Sequence, residues 1–296
     1  MPRRESIIIT IVIICVFIHF QIYQSSQFIE TALVAFRDSD LSDENYVVNN
    51  DDDDSNQQNN NNDKSYLDHD CFKPYHTPIM GTHDLSRIIN VGMPKCGSNS
   101  LYQYFHMGGF YSRHYHCGQG GYCGRCIYSQ VKEKQPLLSN CGNFTVWTQM
   151  DFTNGGLCIF PQITLLDELY NENPNATFIL PFRNVTGWIK SVTNWPPNHP
   201  NYRVRINNLC DFTEIGIERK SLMEDKNMAA LYCNHVKHVR QFVHDHPSLT
   251  LIEFSIEDQN AGDILERYFG VNASYWGHVI PKKFLKKKMK TKINVE

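Results

Sequence analysis

The sequence has no Gly-x-x-x-x-Gly-Lys-Ser/Thr loop, so it lacks the usual signature of an ATP- or GTP-dependent phosphotransferase. It has no EF-hand either. The Asp/Asn run over residues 51–62 contains neither the turn glycine nor the terminal glutamate of a calcium loop. Cys117, Cys123, Cys126 and Cys141 follow a Cys-x5-Cys-x2-Cys-x14-Cys spacing that matches no familiar zinc module. His235, His238 and His244 have no accompanying carboxylate motif and are expected on a helix surface, not at a metal. Positive charge is nearly missing from residues 38–70, where eleven acidic residues stand against one lysine. The few apolar residues of that stretch recur at neither helix nor strand spacing. It therefore cannot bury enough surface to offset the entropy of ordering.

At the N-terminus, Arg3 and Arg4 precede a mostly apolar run from Ile7 to Tyr23, at the short end of a membrane span. The basic flank predicts a cytosolic N-terminus and a lumenal body. No small-x-small cleavage site follows the run, which favours an uncleaved signal anchor over a removed signal peptide. The expected organisation is a cytosolic tail (1–6), a transmembrane anchor (7–23), a disordered acidic stalk (24–70), a lumenal domain (71–280) and a basic tail (281–296). The whole chain carries a net charge of −3, yet residues 71–296 hold 24 Lys+Arg against 18 Asp+Glu. A basic domain suits an anionic ligand. Nine cysteines follow the anchor, and in an oxidising lumen most should pair, leaving at least one over. For the four between 117 and 141, zinc is the alternative to disulfides. Sequons at Asn143, Asn175, Asn184 and Asn272 fit the same compartment.

The segment Arg87-Ile88-Ile89-Asn90-Val91-Gly92-Met93-Pro94-Lys95-Cys96-Gly97-Ser98-Asn99-Ser100-Leu101 reads as a buried strand, a tight loop and a helix start. Gly92 and Gly97 mark places where a Cβ would obstruct the chain or a ligand. Such a loop aims backbone N–H groups and the positive end of a helix dipole at one spot, with Lys95 beside them, which makes a phosphate cradle. Its order, Pro94-Lys95-Cys96-Gly97-Ser98-Asn99-Ser100-Leu101, resembles the 5′-phosphosulfate loop of sulfotransferases that use 3′-phosphoadenosine 5′-phosphosulfate (PAPS).

Further on, Thr145–Asp151 reads as a strand with Asp151 at its C-terminal end, where ligands collect in a parallel sheet. Asp151 there is either a general base or the cap of the turn made by Asn154, Gly155 and Gly156. His116, in the Gly- and aromatic-rich segment expected to wall the acceptor cleft, is the rival base. Thr177–Phe182 is a buried strand whose late Pro181 suggests its end. It leads into Arg183, with Ser191 eight residues later on a helix. This spacing is similar to the sulfotransferase pair that holds the 3′-phosphate of PAPS, and an arginine fork suits a phosphate dianion. Arg203 and Arg205 are expected in a polar loop after Trp195, either solvated or facing an anionic acceptor.

The resemblance covers about residues 87–280 and implies an α/β fold of three layers around a central parallel sheet with P-loop-like nucleotide binding. It departs at the C-terminus, where Trp276-Gly277-His278 and a lysine run replace the family's Gly-x-x-Gly-x-x-Lys loop. Lys282 or Lys283 either replaces that contact or belongs to a solvated tail. The whole is similar to uncharacterised sulfotransferase-like proteins of unicellular algae. It implies a Golgi-type, single-pass type II membrane enzyme that moves a sulfuryl group from PAPS to a hydroxyl or amine of an acceptor, a carbohydrate first. The implied donor-site residues are Lys95, Cys96, Gly97, Ser98, Asn99, Ser100, Arg183 and Ser191. Lys95 and either Asp151 or His116 would be catalytic. No metal and no nucleic acid are expected. The alternatives are an inactive glycan-binding protein on the same fold and an ATP/Mg-dependent kinase-like enzyme.

Overall fold

The computed structural model describes residues 70–277, apart from 76, 119–120 and 196–199. The expected anchor, nearly all of the stalk and the basic tail lie outside the described residues. Among those described, no helix is long and apolar enough to cross a membrane.

In chain order the elements are β1 (Asp84–Asn90), α1 (Ser98–Met107), β2 (Ser112–His114), β3 (His116–Cys117), β4 (Gly121–Tyr122) and α2 (Cys123–Glu133). Then come β5 (Val146–Gln149), β6 (Phe152–Asn154), β7 (Leu157–Ile159), α3 (Pro161–Thr164), α4 (Leu166–Glu172) and β8 (Ala176–Phe182). The last are α5 (Val185–Thr193), α6 (Tyr202–Leu209), α7 (Asp225–Asp245), β9 (Thr250–Ser255) and α8 (Ala261–Phe269). Five strands form one sheet in the order β2-β5-β1-β8-β9, and every pairing in it is parallel.

Successive side chains of a strand point to opposite faces, and both faces here are apolar. Ile88, Val146, Ile179 and Ile252 meet Leu101, Tyr104 and Phe105 of α1 and Leu265 and Phe269 of α8. Ile89, Trp147, Phe178 and Leu251 face the other way, with Val236, Val239 and Val243 of α7. All seven residues of β8 are buried, as a strand covered on both faces requires. The expected three-layer α/β fold is the one observed.

One irregularity in this sheet shapes the site. Val91 donates its N–H to Ile179 O at 2.9 Å. Continued in parallel register, the next bond would run from residue 181 back to Val91 O. Residue 181 is proline and has no N–H. His235 of α7 supplies the bond instead, with Nε2 at 2.7 Å from Val91 O. This corrects the expected surface position of His235, which has no exposed area at all, whereas His244 is exposed. Gly92 follows at once, packed so closely on Pro181 that a Cβ would sit 2.6 Å from its ring.

The cysteines settle as disulfides Cys71–Cys233, Cys117–Cys123, Cys126–Cys141 and Cys158–Cys210. Cys96 is free and buried. The zinc alternative for Cys117, Cys123, Cys126 and Cys141 gives way to two of these bridges.

His235→Leu is expected to lower the unfolding free energy by about 1–3 kcal/mol at neutral pH, the cost of a buried carbonyl left without a donor. Burial holds the imidazole down at about 4 against an ordinary value of 6.5. Between those values the unfolded chain takes up a proton that the folded one refuses, so wild-type stability drops as the pH is lowered from 6.5 towards 4 and the gap to the variant narrows. Denaturant titrations at several pH values measure both effects. Equal stabilities at neutral pH would remove His235 from this role.

Candidate active site

The loop after β1 is held from three sides. Asn90 accepts the N–H of Gly92 through Oδ1 at 2.9 Å and donates Nδ2 to Thr148 O at 2.7 Å. Trp188 of α5, buried, donates Nε1 to Pro94 O at 2.8 Å. Within the loop Cys96 donates its N–H to Met93 O at 3.2 Å. Lys95 and Gly97 both take left-handed backbone angles, φ +71° and +82°. For the lysine this is a strained conformation of the kind concentrated at functional sites. A Cβ on Gly97 would also press on Ile256 at 2.9 Å. Helix α1 begins at Ser98, and its first turn is closed by Leu101 N–H donating to Gly97 O at 2.9 Å. The preceding amides of the first turn are left for an anion.

Cys96, grouped with the cradle by its sequence position, does not face it. Its side chain is fully buried against Tyr232, and burial pushes the thiol up to about 12. With its N–H given to Met93, this residue spaces the loop and offers nothing to a ligand.

Arg183 comes to the same loop from the end of β8. Its Nη1 donates to Lys95 O at 3.1 Å, and its N–H donates to Tyr232 Oη at 3.1 Å. Nε is buried without a hydrogen-bond partner, 3.9 Å from Glu257 Oε1. Glu257 Oε2 accepts the N–H of Asn184 at 2.9 Å. Asn184 itself caps α5, accepting from Gly187 N–H at 3.1 Å. Ser191 is half-buried on that helix, two turns along. Lys95 and Arg183 thus share one end of two adjacent strands.

On the other side of Lys95 lies a cluster that sequence reasoning found only in part. Asp151 follows β5 and is buried. Its Oδ2 accepts Tyr202 Oη–H at 2.9 Å and lies 3.4 Å from Gln149 Nε2. Burial raises its carboxyl to about 6, against the opposing pull of the Tyr202 and Gln149 hydrogen bonds and of Lys95. Burial and the Asp151 charge hold Tyr202 protonated well above the ordinary range. His114, at the end of β2, has Nε2 at 3.1 Å from Ser98 Oγ. Burial, then His116 and Lys95, drive it down to about 3, so it is neutral. His116 sits in the β3–β4 ribbon among Tyr115 and Tyr122, with ring centroids 5.2 and 4.8 Å away.

Arg203 and Arg205 lie on helix α6, not in a loop. Arg203 is buried and bonded to Leu222 O and Asp225. Arg205 lies over Tyr202 and Trp195, at 5.4 and 5.8 Å from the ring centroids, and Lys95 Nζ is 4.3 Å from the Trp195 centroid. Tyr202 and His114 were missed by the sequence reading. His114 obeys the same end-of-strand rule as Asp151, but a three-residue strand leaves too little pattern to find. Tyr202 carries no local signal at all. Disulfides Cys117–Cys123 and Cys126–Cys141 staple the segment bearing His116, and Cys158–Cys210 ties the β6–β7 hairpin to α6.

Residues 87–262, more than half of the chain, match a family model described as a sulfotransferase domain. The match runs from Arg87 within β1 through the Lys95 loop, Asp151 and Arg183 to the start of α8. No curated protein matches the chain significantly.

Asp151→Asn is expected to raise the melting temperature at neutral pH, because it removes a charge that burial disfavours. The carboxyl titrates at about 6 when folded and near 3.8 when unfolded. Its stabilising contribution is therefore complete below 3.8 and lost as pH rises through about 6. The advantage of the variant should vanish below about pH 4, where both states of the wild type are protonated. Thermal melts of the two proteins across that range give the answer. A variant less stable at neutral pH would contradict it.

Proposed function

Because the chain belongs to the sulfotransferase family, we propose that it moves a sulfuryl group from PAPS to a hydroxyl or amine of an acceptor. That acceptor is a carbohydrate met in the lumen of the secretory pathway. The observation that carries this reading is the bond from Arg183 Nη1 to Lys95 O. It keeps the cradle and the arginine close enough to serve the two ends of one nucleotide.

The described residues fit such a donor. The first-turn amides of α1 have no helical acceptors, and the buried Nε of Arg183 has no hydrogen-bond partner. Lys95 with the amides of Gly97, Ser98, Asn99 and Ser100 would hold the 5′-phosphate, and Arg183 with Ser191 the 3′-phosphate. When bound, PAPS supplies an activated sulfuryl group and a phosphate leaving group. The acceptor oxygen gains a bond to sulfur as the bond from sulfur to the 5′-phosphate oxygen breaks. Lys95 and the amides neutralise the charge that grows on that oxygen, a preorganised effect typically of several kcal/mol. Asp151 takes the acceptor's proton. Its raised titration makes it a stronger base than an ordinary carboxylate while leaving it ionised at neutral pH. Tyr202 orients the carboxylate, and four disulfides suit an oxidising compartment.

The desulfonated nucleotide PAP, at about 100 times its dissociation constant, should raise the melting temperature of the full chain by about 5–10 °C. Arg183→Ala should abolish that shift. Stabilisation by ATP with Mg²⁺ instead would favour the kinase-like alternative, and by neither nucleotide the glycan-binding one.

Asp151→Asn should lower turnover by about 10²–10⁴-fold. Wild-type turnover should rise with one-proton dependence up to about pH 6. Sulfate transfer from labelled PAPS to a glycan panel reads both. A fully active Asp151→Asn protein would pass the base role to His116.

A further inference from the structure

Helix α6 carries two arginines with different fates. Arg203 is neutralised inside the fold: Nε donates to Leu222 O at 2.8 Å and Nη1 pairs with Asp225 Oδ1 at 2.7 Å, with only Nη2 left buried without a partner. Arg205 is half-buried and has no carboxylate partner among the described residues. Its Nε is buried without a hydrogen-bond acceptor. Among the described residues its guanidinium is held by rings, 5.4 Å from the Tyr202 centroid and 5.8 Å from that of Trp195. Ring contacts orient a cation without neutralising it. A buried donor left unmade is costly in a way that a ligand's acceptor would relieve.

The same two rings lead straight to the reacting groups. Tyr202 donates to Asp151 at 2.9 Å, and Lys95 Nζ stands 4.3 Å from the Trp195 centroid. Arg205 is therefore a positive charge on the acceptor side of the site, surplus to the donor cations Lys95 and Arg183.

We propose that Arg205 receives an anionic group of the acceptor, so that the acceptor is an acidic saccharide bearing a carboxylate or sulfate close to the modified hydroxyl. This rests on the sulfotransferase reading and names the acceptor class for that site. A planar guanidinium fork matches either oxyanion with two parallel hydrogen bonds. The other groups gathered there, Gln149, His114 and Ser98, offer hydrogen bonds, and Asp151 accepts them. That suits a polyhydroxylated ring better than the apolar slot a peptide tyrosine would need.

The test uses the full chain, with calorimetric binding of an oligouronate, a sulfated oligosaccharide, the carboxyl-reduced neutral counterpart of the oligouronate, and an acidic tyrosine-containing peptide. The wild type should bind one of the two acidic sugars at least about tenfold more tightly than the neutral one. Which of the two it prefers identifies the oxyanion. Arg205→Gln should weaken that binding by about ten- to a hundredfold. It should leave the neutral sugar and the thermal shift with PAP unchanged. Arg205→Lys, which keeps the charge and loses the fork, should fall between them.

Equal wild-type affinity for charged and neutral sugars would overturn the proposal even if Arg205→Gln failed to fold. So would a preference for the peptide, or an acidic preference that survives in a folded Arg205→Gln protein. If PAP gives no shift while acidic sugars still bind through Arg205, the donor reading falls and this one stands. If PAP stabilises the protein and acidic sugars gain nothing, the reverse holds.

Discussion

The hydrogen bond from His235 to Val91 O is the constraint on which the site depends. Parallel strands normally remain paired until one of them runs out. Here β1 is released from β8 one residue early, because Pro181 has no N–H to give. An unpaired carbonyl in the middle of a core would be expensive. The buried imidazole of α7 meets it, so the chain leaves the sheet at Gly92 without an orphaned group. The loop carrying Lys95 begins at that break. A helix on one face of the sheet thus fixes where the Lys95 loop starts at the ends of its strands.

From that point charge is distributed unevenly around Lys95. Towards β8, Arg183 shares the lysine's carbonyl and is faced by Glu257 at 3.9 Å. Towards β5, the lysine lies near a buried carboxylate and a neutral imidazole, with a tryptophan ring beneath its ammonium group. The first direction suits highly charged phosphates. The second, with one protonatable oxygen held by a tyrosine, suits proton removal. Lys95 stands where the two meet, in a backbone conformation that few residues other than glycine adopt.

Much of this could be read in the sequence wherever local pattern carries the information. The apolar runs at Ile88–Val91 and Thr177–Phe182 mark the two central strands. The loop from Gly92 to Gly97 and the helix after it follow from glycine and helix-start chemistry. Asp151 and Arg183 were found because each ends a strand. His235 was misread, since its reason for burial is a missing N–H on a residue 54 positions earlier in the chain. Tyr202 escaped for the same kind of reason: its partner Asp151 lies 51 residues away. Arg203 and Arg205 looked alike in sequence, and only the packing of α6 separates the one that meets a carboxylate from the one that, among the described residues, does not. Cys96 belonged to the cradle by position alone, and its inward side chain could not be told from spacing.

The covalent bridges are spread unevenly around the Lys95 loop. Three of the four brace the ribbon, the hairpin and α6, while the side bearing Lys95 and Arg183 has the unoxidised Cys96 and one bridge, Cys71–Cys233, next to Tyr232. The two sides therefore differ in what would loosen them. A thiol reductant would loosen the ribbon bearing His116 and the hairpin tied to α6 through three bridges, and would reach Arg183 only through Cys71–Cys233, beside the Tyr232 that accepts its N–H.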